Sequence, residues 1–288
     1  MLAGDAAAGL LLLVAAAVVT LMALIVVTRA VTVASRARLA RLRADVLPEI
    51  LRVTDGEDVA PPSGRRRTRV MGEVAAAMAH KVRGADRDAL AAWLRANGYL
   101  DRARRGLASR LAVRRARSAQ LYLAASGGHD VGPVLTLLRD PHAGVRATAV
   151  QTLGQARAVD ALPELVRAVG ARRGAVTMSS AAMAIFQAGP SSAGELDAAW
   201  TAPDPRVRRL AVDAAGALGL ADARSRLEQV LADDDALRVH AAVALGRIGA
   251  PASLGALHAA RARAASGSAE QRAVDTAIGR ILLGEDGA

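Results

Sequence analysis

The side chains here that are best suited to catalysis or metal binding are five histidines, since the chain contains no cysteine. Without cysteine there is no disulfide, thiolate nucleophile, thiolate metal site or S-acylation site. The residues that follow the five histidines are Lys81, Asp130, Ala143, Ala241 and Ala259. The sequence therefore has no His-Glu dipeptide and no HExxH pair, in which two histidines on one helix face bind zinc. Hydrolase and nucleotide-binding patterns (G-x-S-x-G, Walker A, G-x-G-x-x-G) are missing too, so we predict no catalytic residue, no metal ligand and no cofactor.

Some polar residues still stand at positions with a clear structural use. His240 and His258 fall on consecutive predicted helices and could approach each other, although a structural or surface role is the simpler interpretation. Three aspartates precede predicted helices, where a carboxylate can accept hydrogen bonds from the free N–H groups of the first turn. They are Asp140, Asp204 and Asp234. We interpret them as helix caps.

The positive charge of the chain is concentrated in one part of the sequence. The net charge is +11, and residues 29–117 hold 21 Lys and Arg against nine Asp and Glu, while residues 118–288 hold 17 of each kind. Lys81 is the only lysine. A neutral C-terminal part argues against nucleic-acid binding there, because phosphate contacts need clustered positive charge. The basic part adjoins an apolar N-terminal run, which favours anionic lipid as its partner.

Residues 6–28 form that apolar run, with 23 residues and no charge between Asp5 and Arg29. This length is enough for a helix to cross a hydrocarbon core of about 30 Å. A cleaved signal peptide is one alternative, but it needs a basic start and a shorter apolar core. A buried core helix is the other alternative, although apolarity on every face suits lipid better. We predict a single transmembrane helix.

The charges that flank this run predict its orientation. Five arginines follow it, and only Asp5 precedes it: Arg29, Arg36, Arg38, Arg41 and Arg43. Because basic residues stay on the inner side of a membrane, we expect a short outside N-terminus and a cytoplasmic C-terminal body at the plasma membrane. The same arginines are candidate contacts to anionic lipid. The helix is expected to continue to about Leu47, with Pro48 kinking or ending it.

Residues 54–69 have the composition of a linker, with Pro-Pro, glycines and mixed charges. The cluster Arg65, Arg66 and Arg67 lies within it. A solvated charge run and a contact with anionic lipid are both open interpretations of this cluster. Beyond the linker, residues 70–82 and 86–97 have helical patterns, and Trp93 falls on an apolar helix face, which indicates a core role.

A repeated pattern dominates the rest of the chain. Its second helices align on six anchors: Val113, Val145, Thr177, Val207, Leu237 and Glu270. Apolar residues follow eight positions later, and small or apolar residues four positions later from the second unit on, so one helix face repeats. Glycine stands nine positions after the anchor in four units, and Arg114, Arg146, Arg208 and Arg238 stand one position after it. A structural ladder with the capping aspartates and a contact with a partner are both open interpretations of these arginines.

Each second helix is preceded by a helix of opposite phase, so each unit is predicted to be a helical hairpin. Such hairpins bury their apolar faces only by stacking. The predicted fold class is therefore all-α: a transmembrane helix followed by an α-solenoid of about six hairpins. The predicted boundaries are 1–28 for the outside N-terminus and span, 29–53 for an Arg-rich juxtamembrane helix, 54–69 for the linker, 70–98 for a helical cap, 99–283 for the solenoid and 284–288 for the tail.

The Asp…Val-Arg…Ala…Leu-Gly…Ile-Gly pattern of these units resembles short HEAT repeats, of the kind found in phycobilisome-lyase-like proteins. The whole plan resembles bacterial single-pass HEAT-repeat membrane proteins. That resemblance implies a protein-binding scaffold, and some such proteins accompany membrane glycosyltransferases. Deoxyhypusine hydroxylases have the same repeat type and bind iron through His-Glu dipeptides, which are missing here. A lyase or metal-dependent enzyme and a nucleic-acid-binding protein remain the alternatives.

One unit departs from the pattern, at residues 172–189. Thr177 replaces the apolar anchor, Met178 replaces the arginine, and Phe186 replaces the glycine. Sequence drift would explain this departure, and so would a binding site. The candidate partner-binding residues are Arg102, Arg105, Met178 and Phe186. We predict a non-catalytic adaptor with a protein partner and anionic lipid as ligands, and with no nucleic-acid or small-molecule partner.

Overall fold

The computed structural model describes residues 2–169 and 176–284, without the side chains of residues 2–19. Met1, residues 170–175 and residues 285–288 lie outside that description, so most of the predicted tail and residues 172–175 of the irregular unit cannot be assessed. The described residues contain α-helices and short 3-10 helices and no strand. The predicted fold class, all-α with a long apolar N-terminal helix and a solenoid of HEAT-like hairpins, is confirmed.

The chain divides into two compact units, residues 1–75 and 76–288. The first unit contains α1 (Leu2–Thr54) and most of α2 (Arg65–Ala79). α1 does not end near Leu47 as expected, because it continues through Pro48 to Thr54. On this last stretch Val46, Ile50 and Val53 are buried. They recur at helical spacing, so burial of one face stabilises the helix beyond the proline.

The described part of α1 has the length and composition of a membrane-crossing helix. The stretch Thr20–Thr54 contains a window with a mean hydropathy of 1.5, and no part of that window is buried. An exposed apolar helix is unfavourable in water, because each apolar side chain loses its transfer free energy. Length and composition are the grounds for this assignment, and a signal sequence has the same properties.

α2 begins at Arg65, inside the segment expected to be a linker. Arg65, Arg66 and Arg67 therefore form the first turn of a helix. The backbone N–H of Thr68 donates to the carbonyl of Gly64, and its hydroxyl donates to Pro62 and Gly64. Arginine is a good helix former, so the basic cluster is compatible with the helix that the sequence pattern starts only at residue 70.

The second unit consists of short helices in antiparallel pairs. After α3 (Ala85–Ala96), the six pairs are α4 (Tyr99–Leu107) with α5 (Ala112–Ala125), α6 (Gly132–Leu135) with α7 (Ala143–Gln155), α8 (Leu162–Val169) with α9 (Met178–Ala188), α10 (Asp197–Trp200) with α11 (Pro205–Ala217), α12 (Arg224–Asp233) with α13 (Arg238–Ile248), and α14 (Leu254–Arg263) with α15 (Ala269–Leu283). The second helices, α5, α7, α9, α11, α13 and α15, pack on one another in that order. They form one continuous layer of the solenoid.

Five of the six first helices adjoin a short 3-10 helix, and α6 and α10 are the two with only four α-helical residues. α6 has four residues and continues as a 3-10 helix over Thr136–Arg139, while α10 follows a 3-10 helix over Gly194–Leu196. Both begin near a glycine, which has the lowest helix propensity after proline. The 3-10 segments lengthen these short first helices, with a tighter winding than the α-helix.

The buried stripe of the second helices matches the predicted spacing. The residues four positions after the anchors are almost fully buried: Ala149, Ala181, Ala211, Ala241 and Val274. The residues at position eight are also buried in the last five units: Leu153, Ile185, Ala215, Leu245 and Ile278. Alanine in this stripe brings neighbouring helices close together, and the adjacent leucines fill the space between them.

The first and third anchors are exceptions. Val113 is 64% exposed, and Ser118 and Tyr122 are buried in α5 instead of the residues expected from that anchor. The register of α5 is therefore one residue later than we predicted. Thr177 is exposed and is the N-cap of α9, where its side chain accepts a hydrogen bond from the N–H of Ser180. Its hydroxyl is used for capping, and it does not contribute to the core.

Candidate protein-binding surface

A set of arginines holds the turns between paired helices. Arg146 donates to the carbonyls of Asp140 and Pro141, and Arg208 donates in the same way to Ala202 and Pro203. Arg238 donates to Ala232. In the first unit the equivalent residue is Arg115 and not Arg114, which agrees with the register shift of α5. These arginines satisfy carbonyl groups at the turns, so their role is structural.

Two of these arginines also reach the next unit. Arg115 forms two hydrogen bonds to Asp140, of 2.7 and 2.8 Å, and both side chains are largely buried. The pairing with Arg115 holds the pKa of Asp140 below its usual range. Arg208 approaches Asp234 at 3.5 Å. Asp204 is the N-cap of α11, as predicted, whereas α7 is capped by His142.

Glycines nine positions after the anchors set the spacing of the helix layer. A Cβ on Gly154 would lie 2.8 Å from the Cα of Ala184, and a Cβ on Gly246 would lie 2.8 Å from the Cα of Ala277. Real Cβ atoms essentially never come this close to backbone. The glycines therefore permit a helix approach that any other residue would prevent.

Phe186 occupies this same position on α9. Gly154 allows α7 and α9 to approach closely, whereas the bulk of Phe186 prevents an equally close approach of α9 and α11. The packing of α9 on α11 is accordingly looser than that of α7 on α9. The phenylalanine is 37% exposed. It is the only Phe in the chain, and the structure places it at the one break in the glycine pattern of the inner units.

A small apolar surface surrounds this break. Met183, three residues before Phe186 and on the same helix face, is 60% exposed. Met178, at the first turn of α9, is half-buried and packs against the core, so the structure does not place it in this surface. We call Met183 and Phe186 the α9 patch. Methionine and phenylalanine adapt to apolar partners, and such exposed groups are typical of protein-binding surfaces.

The other two predicted partner-binding residues belong to a different part of the solenoid. Arg102 lies over the ring of Tyr99 at 4.9 Å, and Arg105 is exposed, both on α4. The helices α5 and α7 stand between α4 and α9 in the order of packing. The structure therefore does not gather the four predicted residues into one site.

The predicted membrane-surface arginines lie in the first unit. Arg29, Arg36, Arg38, Arg41 and Arg43 are exposed on α1. Arg43 also approaches Glu73 of α2 at 3.7 Å, and Arg67 is paired with Glu49. Arg65 and Arg66 are exposed. Because Arg43 and Arg67 are paired with glutamates, they are less available to a lipid phosphate than the other six predicted arginines are.

Besides Asp140, the pKa values of His80, Tyr99 and Tyr122 in the second unit are displaced. Burial lowers the pKa of His80 to about 4, and the neighbouring Arg87 acts in the same direction. Burial raises the pKa of Tyr99 to about 12, although Arg102 opposes the change. Burial and a hydrogen bond to Asp130 raise the pKa of Tyr122. None of these groups is near the α9 patch in sequence, since His80 follows α2, Tyr99 begins α4 and Tyr122 lies on α5.

The predicted pair of histidines has two separate environments. His240 contacts Asp213 of α11 at 2.9 Å, while His258 is exposed on α14. Among the described residues no group of three or more His, Asp and Glu side chains could hold a metal ion. A shallow cavity of about 250 Å³ between α12 and α14 is lined mainly by Ala and Leu, with Glu228 and Arg263 at its edge. Glu228 is already bound by Ser253 and Arg224.

Comparisons with known proteins identify similar folds and no family. No protein-family model matches the sequence, and neither does any curated protein. Among solved structures, one engineered protein is similar over 65% of this chain and 98% of its own, with 17% identity and a TM-score of 0.38. Another engineered protein is similar over 83% and 69%, with 16% identity and a TM-score of 0.41. The complex of CpcE and CpcF of phycocyanin lyase from Nostoc is similar over 78% and 98%, with 20% identity and a TM-score of 0.32.

The lyase complex corrects one expectation. We predicted that the chain is not an enzyme because catalytic motifs are missing, yet one of the similar structures is a lyase. A negative motif search does not exclude catalysis. The physical reason is that catalytic side chains on stacked helices come from distant parts of the sequence, so no short motif reports them.

Sequence reasoning missed two sets of exposed residues. Met183 lies six positions after its anchor, and the equivalent residues of two other units, Gln151 and Asp213, are polar. This contrast in the sequence could have identified Met183 as an exposed apolar residue. Leu111 and Val113 are each 64% exposed. The repeat pattern predicts a core position for Val113, and this prediction is wrong. The missing Asp before α5, present before α11, was the available signal for the shift.

Proposed function

We propose that this protein is a membrane-anchored HEAT-like adaptor that binds a protein partner through the α9 patch. The observation that carries the proposal is Phe186, which replaces the glycine that sets the helix spacing and leaves an apolar surface with Met183. Aromatic residues and methionine are enriched at protein interfaces, where a partner buries them. The partner is a protein with an apolar surface, and an integral membrane enzyme such as a glycosyltransferase fits this role.

The anchoring part of the proposal rests on α1. Its apolar stretch is exposed over its described length, and a lipid environment would remove that surface from water. We propose that the span is followed by the arginines of α1 and α2 at the cytoplasmic face, where they contact anionic lipid. Anchoring raises the local concentration of the solenoid near membrane proteins, so a weak contact through a small patch becomes effective.

The partner contact is tested by substitutions in the α9 patch. Phe186→Gly restores the residue that the other inner units have, and combining it with Met183→Ser removes the patch. Leu282→Ser is the control, because Leu282 is 67% exposed on α15. We expect a partner captured from detergent extract by the native chain and by the control to be lost with the double variant. Identical capture by all three chains would refute the patch as the binding surface.

The anchor and its orientation are tested with the cysteine-free background. A single cysteine at Leu282 and, in a second variant, one at Gly4 are treated with a membrane-impermeant maleimide in intact cells. We expect labelling at position 4 only, and labelling at position 282 after lysis. Labelling of position 282 in intact cells would reverse the orientation. Release of the protein by alkaline carbonate, or removal of the N-terminal residues in the mature chain, would exclude the anchor.

A further inference from the structure

The turn between α4 and α5 lacks the side-chain helix cap that the turns before α7 and α11 possess. Aligned on the carbonyl-binding arginines, Leu111 stands where α7 has His142 and α11 has Asp204, and both of those side chains accept a hydrogen bond from the first turn. Leu111 is the N-cap of α5 and makes no such bond. Replacing a capping side chain by an aliphatic one costs about 1 kcal/mol. The sequence thus places an apolar residue where stability favours a polar one.

Around Leu111, apolar side chains are exposed, and a charged side chain stands at a position that is buried and apolar in other units. Val113, in the first turn of α5, is 64% exposed, as is Leu111. Arg114 occupies the anchor position that holds the buried Val145 and Val207 in other units, and it is exposed. This turn therefore presents aliphatic side chains to solvent and a charge at a position that normally faces the core. Folding of the second unit does not require this arrangement.

Positive charge flanks the two aliphatic side chains. Arg110 precedes Leu111, while Arg114 and Arg117 lie one turn apart on α5, and all three are exposed. In the described part of the chain, the ion pair at this turn uses Arg115 with Asp140 and leaves these three guanidiniums to solvent. We call Arg110, Leu111, Val113, Arg114 and Arg117 the α4–α5 corner.

We propose that the α4–α5 corner docks on an anionic lipid surface, with Leu111 and Val113 in the interfacial layer and the three arginines on lipid phosphates. Apolar side chains that enter the acyl boundary and basic side chains that pair with headgroups are the two elements of interfacial binding. The inference rests on the proposed anchoring by α1, which keeps lipid within reach.

Lipid fits this corner better than a macromolecular partner does. A nucleic acid would pair with the arginines and leave both aliphatic side chains in water. Protein interfaces are enriched in aromatic residues and methionine, and the α4–α5 corner contains neither of these residue types. A bilayer needs neither shape complementarity nor area, because it accepts two aliphatic groups and their flanking charges together.

The experiment uses the full chain in lipid nanodiscs, both faces of which are open to solvent. Because the native chain lacks cysteine, Val113→Cys carries an environment-sensitive fluorophore at one defined site. With 30% phosphatidylglycerol in the disc (about one lipid in three), we expect a blue-shifted emission and protection from aqueous iodide relative to pure phosphatidylcholine. The same fluorophore on Leu282→Cys, at an exposed site of α15, should show no difference between the two lipids.

Two further variants separate the contributions to docking. In the first variant, Gln replaces Arg110, Arg114 and Arg117 together. This variant should lower the ratio of docked to undocked chains by about fivefold for each charge removed, which corresponds to about 1 kcal/mol per charge. Leu111→Ser supplies a cap without a change of charge, and it should reduce docking while leaving the helices folded. A fold defect therefore cannot explain its loss.

Three results would overturn the proposal. One is an emission spectrum of the Val113→Cys label that is the same in both lipids, and another is a spectrum unaffected by Leu111→Ser. A label that becomes protected only when an acidic protein is added would assign the corner to a protein partner. Failure of the proposed function would be seen in other measurements. The protein would be released from membranes by alkaline carbonate, or the capture of a partner would not depend on Phe186. The emission spectrum in nanodiscs should be unaffected by Phe186→Gly.

Discussion

Gly216 of α11 lies so close to Ala244 of α13 that a Cβ on the glycine would be 2.6 Å from the Cα of the alanine. The same relation joins Gly154 to Ala184 and Gly246 to Ala277. Gly279 has the same position in α15, but a Cβ there would meet nothing within 4 Å, because no described helix follows α15. The glycines are thus required by the neighbouring unit and not by their own helix.

Alanine at Gly246 and at Gly279 should therefore have opposite effects on stability. Gly246→Ala forces α13 and α15 apart and is expected to destabilise the second unit by about 1–2 kcal/mol, as overpacked cores do. Gly279→Ala gains helix propensity and should stabilise it by about 0.5–1 kcal/mol. Denaturant unfolding followed by the fluorescence of Trp93 and Trp200, both in the second unit, measures each change. Equal effects at the two sites would contradict the role of the contact between α13 and α15.

Loss of the Asp140 carboxylate should be costly. Asp140→Asn removes the charge that Arg115 binds through two hydrogen bonds and leaves one acceptor oxygen for a guanidinium that made both bonds. We expect a larger destabilisation than the loss of an exposed ion pair produces, because the side chain of Asp140 is only 4% exposed. Arg226→Gln is the matched control, because it breaks the exposed pair with Asp197, and exposed pairs contribute 0 to about 1 kcal/mol. Similar losses in the two variants would show that burial does not decide the contribution of this pair.

His80 should make the stability of the second unit depend on pH. Its pKa is about 4 in the folded protein and about 6.5 in an unfolded chain. Between these values the unfolded chain binds more protons, so the stabilising contribution is complete above about pH 6.5 and is lost as the pH falls towards 4. Stability should decrease by on the order of 2 kcal/mol over this range.

The variant His80→Leu tests this assignment, since it removes the titrating group and keeps the site apolar. We expect the free energy of unfolding of this variant to change less between pH 6.5 and pH 5 than that of the native chain. Asp140 titrates at lower pH, because its pKa is depressed by Arg115, and its contribution is lost only as the pH falls below about 4. An unchanged slope in His80→Leu would show that other groups produce the pH dependence.

A cap at position 111 should stabilise α5. Leu111 has extended backbone angles, φ −84° and ψ 117°, as the capping residue Asp204 does. Leu111→Ser is therefore expected to raise the free energy of unfolding by about 1 kcal/mol. Leu111→Ala, which offers no acceptor, is the control and should give no gain. A stabilisation by alanine equal to that by serine would indicate that removal of the exposed leucine is what matters.

Much of the fold was predictable because it depends on periodicity. Alanines recur four positions after the anchors, and the structure buries each of them, because a repeated stripe has to face the neighbouring helix. Phe186 was recognisable as a departure for the same reason. The helix start at Arg65 and the continuation beyond Pro48 were not predictable, since basic and proline residues report local preference while packing decides where a helix ends.

Residue order alone predicts the all-α class, the hairpin repeat, the apolar N-terminal helix and the concentration of positive charge. Which helix faces are covered depends on how the neighbouring units pack. The tertiary structure placed Val113 in solvent, paired Arg115 with Asp140, and exposed Met183 beside Phe186. A one-residue shift of α5 changes which side chains face the core, and a helical pattern tolerates that shift until neighbouring units pack against it. Close contacts such as that of Gly216 with Ala244 select one register among several that the sequence allows.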